Sequence, residues 1–159
     1  MQHCAWNPAL QHGEHIVAPW YLRNSAHELR EFIDLIDPSD DDLHGAGLCG
    51  ACAKCAFVFL LGAAHTDPVK IRRLMGANLL DDLELIRSLA DPNIRKPLEC
   101  VGTKEEVWVA LEDIWQKQIW RDSPGLKYFA ESIRPAIASR LPGMRKQLLH
   151  VQSLRAFTR

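Results

Sequence analysis

The chain has 159 residues, 47% of them hydrophobic and 25% charged, with a formal net charge of −1. This is the composition of a one-domain globular protein that can bury a core without disulfide staples. The near-neutral total gives no global electrostatic case for a nucleic-acid or membrane partner.

No stretch reaches the roughly 18 apolar residues that a transmembrane helix needs. The longest, Ala56–Ala64, has nine residues and is interrupted by Gly62. The start, MQHCAWNPAL, lacks the charged-then-apolar order of a secretory signal. The expected location is therefore the cytoplasm, with no membrane partner. Charge is uneven along the chain. Residues 1–120 carry 11 Lys/Arg against 18 Asp/Glu, and residues 121–159 carry 8 against 2. A basic C-terminal segment can read phosphates, or it can be a solvated helical face.

Residues 1–24 are rich in His, Trp and Pro without a clear period and read as an irregular lead-in. Ser25 and Glu28 form a capping box for a helix carrying Leu29, Phe32, Ile33 and Ile36. Asp37-Pro38 stops it, and an acidic, then Gly-rich loop delivers the chain to Cys49. From Cys52 to Ala64 the pattern is a helix apolar on most faces, which places it centrally. Asp67-Pro68 starts the next helix and Gly76 closes it. A further helix runs from about Asp81 to Ala90 and stops at Asp91-Pro92.

Asn93–Thr103 reads as irregular. Thr103 and Glu106 make another capping box, followed by a stripe of Trp108, Leu111, Trp115 and Ile119. Ser123-Pro124-Gly125 reads as a turn. Two last helical segments are separated at Pro142-Gly143, the second with Met144, Leu148, Val151 and Leu154 at helical spacing. The expected fold is mainly α: a compact helical domain of six or seven helices spanning 25–159, with little or no sheet.

The sharpest local signal is Cys49-x2-Cys52-x2-Cys55. Thiolates are soft ligands, and cysteines three apart at a helix start can converge on one ion. The positive end of the helix favours thiolate there. Zinc takes four ligands, and His44, Cys4, His3 and Cys100 are candidates for the fourth, with His44 the nearest upstream. Iron–sulfur ligation and plain buried cysteines are the alternatives, since the ferredoxin run expects a further Cys-Pro and cysteine is among the most buried residue types.

The second signal is RKPLECVGTKEE, Arg95–Glu106. It joins the cations Arg95 and Lys96, the carboxylate of Glu99, the thiol of Cys100 and a Gly-Thr helix start. Amides after Gly102 can hold a phosphate or carboxylate. Glu99 or Cys100 can move a proton where its pKa is tuned. An ordinary loop with an N-cap threonine is the plainer reading. The seven histidines show no fixed ligand spacing beyond His12-x2-His15, and Trp108, Trp115 and Trp120 read as core.

Taken together, CGACAKCAFVFLL, LMGANLLDD and KPLECVGTKEE resemble the C-terminal half of the ATP-dependent UDP-N-acetylmuramoyl-L-alanyl-L-glutamate epimerases, over roughly Trp20–Trp115. That resemblance implies an isomerase of peptidoglycan-precursor synthesis. ATP activates the α-carboxylate of the terminal L-glutamate, and the Cα proton is removed and returned on the other face. The family's ATP-binding half carries an SGGxDS-type loop that this chain does not have. The expectation is a fragment, a split subunit or a derived protein, which obtains ATP and Mg through a separate ATP-binding subunit or domain.

The family motif maps onto these positions, and their chemistry assigns the roles: Lys54, Lys96, Gly102 and Thr103 would hold anionic groups of the UDP-MurNAc-dipeptide substrate, and Glu99 and Cys100 would transfer the proton. Cys49, Cys52, Cys55 and His44 would hold a structural zinc. The alternative is a small zinc-stabilised helical module that binds a partner protein or nucleic acid. It requires one positive face from Arg134, Arg140, Arg145, Lys146 and Arg155.

Overall fold

The computed structural model describes residues 49–95 and 102–156, with side chains through Leu148. Among these residues the chain is helical and contains no strand. The helices are α1 (Ala53–His65), α2 (Pro68–Met75), α3 (Leu83–Ala90), α4 (Lys104–Gln116), α5 (Pro124–Tyr128) and α6 (Leu141–Ala156). A 3-10 turn (Leu79–Asp81) precedes α3. A π-helical turn (Phe129–Ile133) carries α5 into a last turn (Arg134–Ile137). The lead-in 1–24 and the helix expected after Ser25 lie outside the described residues.

The central helix is α1. Cys55, Ala56, Phe57, Phe59, Leu60, Leu61, Ala63 and Ala64 are all buried, so every face of the helix is covered. Each large apolar side chain so buried is worth about 1.5–3 kcal/mol. α4 packs along α1 more extensively than any other helix, and α2 and α3 cover other faces. Trp108 of α4 is core, and its indole N–H donates to the Ala90 carbonyl at 2.7 Å. Trp120 stacks on Phe59 of α1 with centroids 5.4 Å apart. Trp115 is half-buried, with Arg121 over its ring at 4.4 Å.

The local start and stop signals act as the chain's chemistry dictates. The Asp67 carboxylate accepts from the Val69 amide at 2.8 Å, and Pro68 opens α2. Gly76 closes it in the left-handed region at φ 73°. Three boundaries differ from the sequence expectation. The helix expected from Asp81 is divided, because Asn78 caps the 3-10 turn and Asp82 caps α3 through the Leu85 amide at 3.0 Å.

Ser123-Pro124-Gly125 is the start of α5, with Pro124 in the first turn, where its missing N–H costs nothing. Pro142 and Gly143 likewise lie in the first turn of α6, and the break falls at 138–140 instead. The π turn was not anticipated. Pro135 cannot donate and its ring crowds the carbonyl four residues back. The chain widens just before it, so that the Arg134 amide donates to the Phe129 carbonyl.

Candidate functional site

Two observations fix the direction of the α1/α4 pair. Gly102, just before α4, lies against Phe57 in the first half of α1. At the other end, the Lys117 ammonium donates to the carbonyls of Ala63 and Thr66 at 3.1 and 3.4 Å. The helices therefore run parallel, and both N-termini open at one end of the molecule. That end carries the cysteine stretch on α1 and the close of the RKPLECVGTKEE stretch on α4. Lys117 meanwhile satisfies carbonyls at the shared C-terminal end.

The cysteines sit on the cap of α1. Cys52 is its N-cap residue and Cys55 lies in its first turn, while Cys49 precedes it in the loop. Their three sulfurs all lie within 4.8 Å of one another. Cys49 Sγ and Cys55 Sγ are 3.7 Å apart. Two thiolates of a tetrahedral zinc, each about 2.3 Å from the metal, stand about 3.8 Å apart. The donor set and spacing thus fit a thiophilic metal, with three ligands from the described residues. His44, the expected fourth, lies outside them.

Gly50 makes this loop possible. Its φ is 63°, and a Cβ there would stand 2.5 Å from the Met75 carbonyl oxygen. The returning end of α2 thus packs directly on the cysteine loop. Exposure is graded: Cys49 is exposed, Cys52 half-buried and Cys55 buried. Burial pushes the Cys55 thiol far above its ordinary pKa, and the neighbouring thiols Cys52 and Cys49 push it further, against a hydrogen bond from the Gly50 backbone. A bound cation reverses that balance, because it stabilises the thiolate directly.

Lys54 is half-buried in the first turn of α1. A cation at a helix N-terminus opposes the macrodipole by a few tenths of a kcal/mol or more.

The start of α4 is tightly built. Thr103 Oγ1 accepts from the Glu106 amide at 3.2 Å, and Glu106 Oε2 accepts from the Thr103 amide at 2.5 Å. This capping box takes two of the amides that sequence reasoning offered to an anion. It also places the buried carboxylate of Glu106 at the helix end. Gly102 has φ 90°, and a Cβ on it would fall 2.2 Å from Phe57 Cζ. Lys96, Glu99 and Cys100 lie outside the described residues.

The approach to that segment is anchored by residues the sequence reading passed over. The Lys104 ammonium donates to the carbonyls of Asp91 and Ile94. The Asp91 carboxylate accepts from the Tyr128 hydroxyl at 2.6 Å and from the Asn93 amide at 2.8 Å. The Tyr128 hydrogen bond, more than any other contact, holds the Asp91 pKa below the usual carboxylate value. No sequence signal marks Lys104, since a lysine in a first turn reads as a solvated cation.

Removing the Tyr128 hydroxyl tests this anchor. Tyr128→Phe is expected to cost about 1 kcal/mol at neutral pH. The sign with pH follows from the depressed Asp91 pKa. The anchor's stability is present above the ordinary carboxylate pKa of about 4 and is lost as pH falls through the lower native value. Urea melts at pH 7 and pH 3 check it; an equal loss at both would refute the assignment.

Two cations of the basic C-terminal segment are engaged by acids of α4. Arg134 forms a two-pronged pair with the buried Glu112 of α4, Nε to Oε2 at 2.7 Å and Nη2 to Oε1 at 3.1 Å. Arg145 pairs with Asp113, the next residue on α4. Arg134 is half-buried on its acid, whereas Arg145 meets its acid at the surface and stays exposed. Arg140 and Lys146 are exposed, and the Arg155 side chain lies outside the described residues. No helix among the described residues is long and apolar enough to cross a membrane.

Residues 39–141 match the profile of the MurL C-terminal domain. The chain is 38% identical over 88 residues to the UDP-N-acetyl-alpha-D-muramoyl-L-alanyl-L-glutamate epimerase of Salinispora tropica, a match covering 54% of this chain and 19% of that protein. The protein of the same name from Micromonospora sp. is 35% identical over 88 residues, or 54% of this chain and 20% of the relative. The one from Xanthomonas oryzae pv. oryzae is 33% identical over 92 residues, or 56% of this chain and 20% of the relative. The chain thus matches about a fifth of the length of these curated relatives. No solved structure matches it. With most of its length inside the profile and both motif stretches there, the chain belongs to the MurL C-terminal domain family.

Proposed function

We propose that this chain is the C-terminal part of a cytoplasmic peptidoglycan-precursor epimerase, an isomerase that inverts the terminal L-glutamate of UDP-MurNAc-L-Ala-L-Glu. The observation that carries the reading is the parallel α1/α4 pair, with Gly102 against Phe57 two residues beyond Cys55. It brings the cysteine stretch and the end of the KPLECVGT stretch to the same end of the fold.

ATP with Mg, bound by a separate ATP-binding subunit or domain, would supply activation of the glutamate α-carboxylate and so acidify the Cα–H. Glu99 and Cys100 take the Cα proton and return one on the opposite face. Lys54 and Lys96 hold anionic groups of the substrate. Because the capping box already uses the Thr103 and Glu106 amides, Gly102 and Thr103 act chiefly by fixing where the segment ends. Cys49, Cys52, Cys55 and His44 hold a structural zinc that braces the loop before Lys54.

The test supplies the UDP-MurNAc-dipeptide, ATP and Mg in deuterated water, with the chain alone, with a separately expressed ATP-binding half, and with both. D-glutamate and deuterium at Cα are expected only with both. Cys100→Ala and Glu99→Gln are each expected to lower the rate by about 10²-fold or more. Full epimerisation by the ATP-binding half alone, or no effect of either variant, would refute the reading. Metal analysis of protein purified without added zinc is expected to give one zinc per chain. Iron with sulfide, or no metal, would refute the zinc assignment.

A further inference from the structure

The three sulfurs are not equivalent, and their differences point to a chemistry that metal binding alone does not use. Cys52 and Cys55 are fixed by the cap and first turn of α1, whereas Cys49 lies in the loop before it. Cys49 is exposed, and Cys55, whose sulfur is 3.7 Å away, is only 1% exposed. One thiol of the pair is open to a small solute and the other stands behind it at van der Waals range. A disulfide has its sulfurs about 2.0 Å apart. The closing movement can come from the loop at Cys49, while the helix holds Cys55 still.

We propose that Cys49 is an oxidative modification site, attacked by hydroperoxides, with Cys55 as its resolving thiol. The Cys49 sulfur displaces water from hydrogen peroxide and becomes the sulfenic acid, with peroxide oxygen reduced. Cys55 then attacks that sulfur, its thiol proton passing to the departing hydroxide, and a second water leaves as the Cys49–Cys55 bond forms. Overall, two thiols and one peroxide give one disulfide and two waters. The bond removes two of the three sulfur ligands, so a metal held by the trio is released. This last step rests on the zinc reading above; the disulfide step does not.

The experiment treats the reduced, zinc-loaded chain with hydrogen peroxide. It reads zinc release with a colorimetric chelator, intact mass, and the disulfide by peptide mapping without reduction. The expected product is lighter by two hydrogens, maps to Cys49–Cys55, releases its zinc, and returns to the reduced form with a dithiol. Cys49→Ser removes the attacked sulfur, so it forms no bond to Cys55 and is expected to lose its remaining thiols to peroxide on the order of 10-fold more slowly. Cys52→Ser is expected to form the same disulfide.

A first product joining Cys52 to Cys55, or loss of the disulfide in Cys52→Ser, would overturn the proposal. So would oxidation of Cys49 to sulfinic acid without a disulfide, or zinc retained after the disulfide has formed. A Cys49–Cys55 disulfide in a chain that binds no zinc would support the modification site while refuting the zinc reading. Zinc bound with no disulfide formed would do the reverse.

Discussion

Gly102→Ala is expected to destabilise the protein by about 3–5 kcal/mol and to lower its Tm by roughly 10 °C. Two independent effects add. At φ 90° the backbone is in a region that an L side chain enters only with strain. The new methyl would also stand 2.2 Å from Phe57 Cζ, 2.4 Å from Phe57 Cε2 and 2.9 Å from Glu106 Oε2. Phe57 cannot simply turn away, because it is 1% exposed within the core. Glu106 cannot yield without releasing the Thr103 amide and opening the capping box.

The two effects can be separated. Phe57→Leu shortens the opposing side chain, so adding it to Gly102→Ala is expected to recover part of the steric loss and leave the backbone cost of about 1–2 kcal/mol. Thermal melts of the four proteins in this cycle measure the coupling. A Gly102→Ala protein within about 0.5 kcal/mol of the parent would mean that the close approach to Phe57 is wrong.

Arg134→Ala is expected to cost about 2–3 kcal/mol at neutral pH, because it leaves the Glu112 carboxylate buried with its main counter-charge gone. The estimate is below that for a fully buried pair, since the Arg134 side chain is 36% exposed, while Glu112 is 10% exposed. Gln116 still donates to Glu112 at 2.6 Å and softens the loss.

The pH dependence is the sharper check. In the parent, burial raises the Glu112 pKa, but the bonds from Arg134 and Gln116 outweigh it and leave the value below the usual carboxylate range. Its stabilisation is therefore present above the unfolded-state pKa and is lost as pH falls through the lower native value. In the variant burial dominates, the native pKa rises, and proton uptake on folding stabilises the protein as pH falls. The gap between the two is expected to be widest near pH 7 and to shrink below about pH 4. Denaturant melts across that range measure it; a constant gap would refute the pairing.

Caps and breakers were legible because their partners lie within a few residues. Asp67 with Val69, and Thr103 with Glu106, are hydrogen bonds inside one turn. The cysteine cluster was legible for the same reason, since spacing alone brings sulfurs from one helix cap together. The unbroken apolar run of α1 likewise announced a central helix. The misplaced boundaries are near-ties of the same local kind. Pro142-Gly143 and Pro124-Gly125 are breakers in a helix interior and acceptable in a first turn, and sequence alone does not say which position they hold.

What the sequence by itself determined is the helical class, the caps at Asp67 and Thr103, the cysteine trio and the family. Each depends on contacts short in sequence or on a recognisable string of residues. Only the tertiary structure decided that α1 and α4 run parallel and so bring their two motif ends together. It alone placed Gly102 on Phe57, Lys104 on the Asp91 turn, and Arg134 and Arg145 on the acids of α4. An amphipathic pattern says which face of a helix is buried but not which helix covers it, or in which direction. Those choices rest on the packing of residues 10 to 54 positions apart, where shape and charge are matched across the fold.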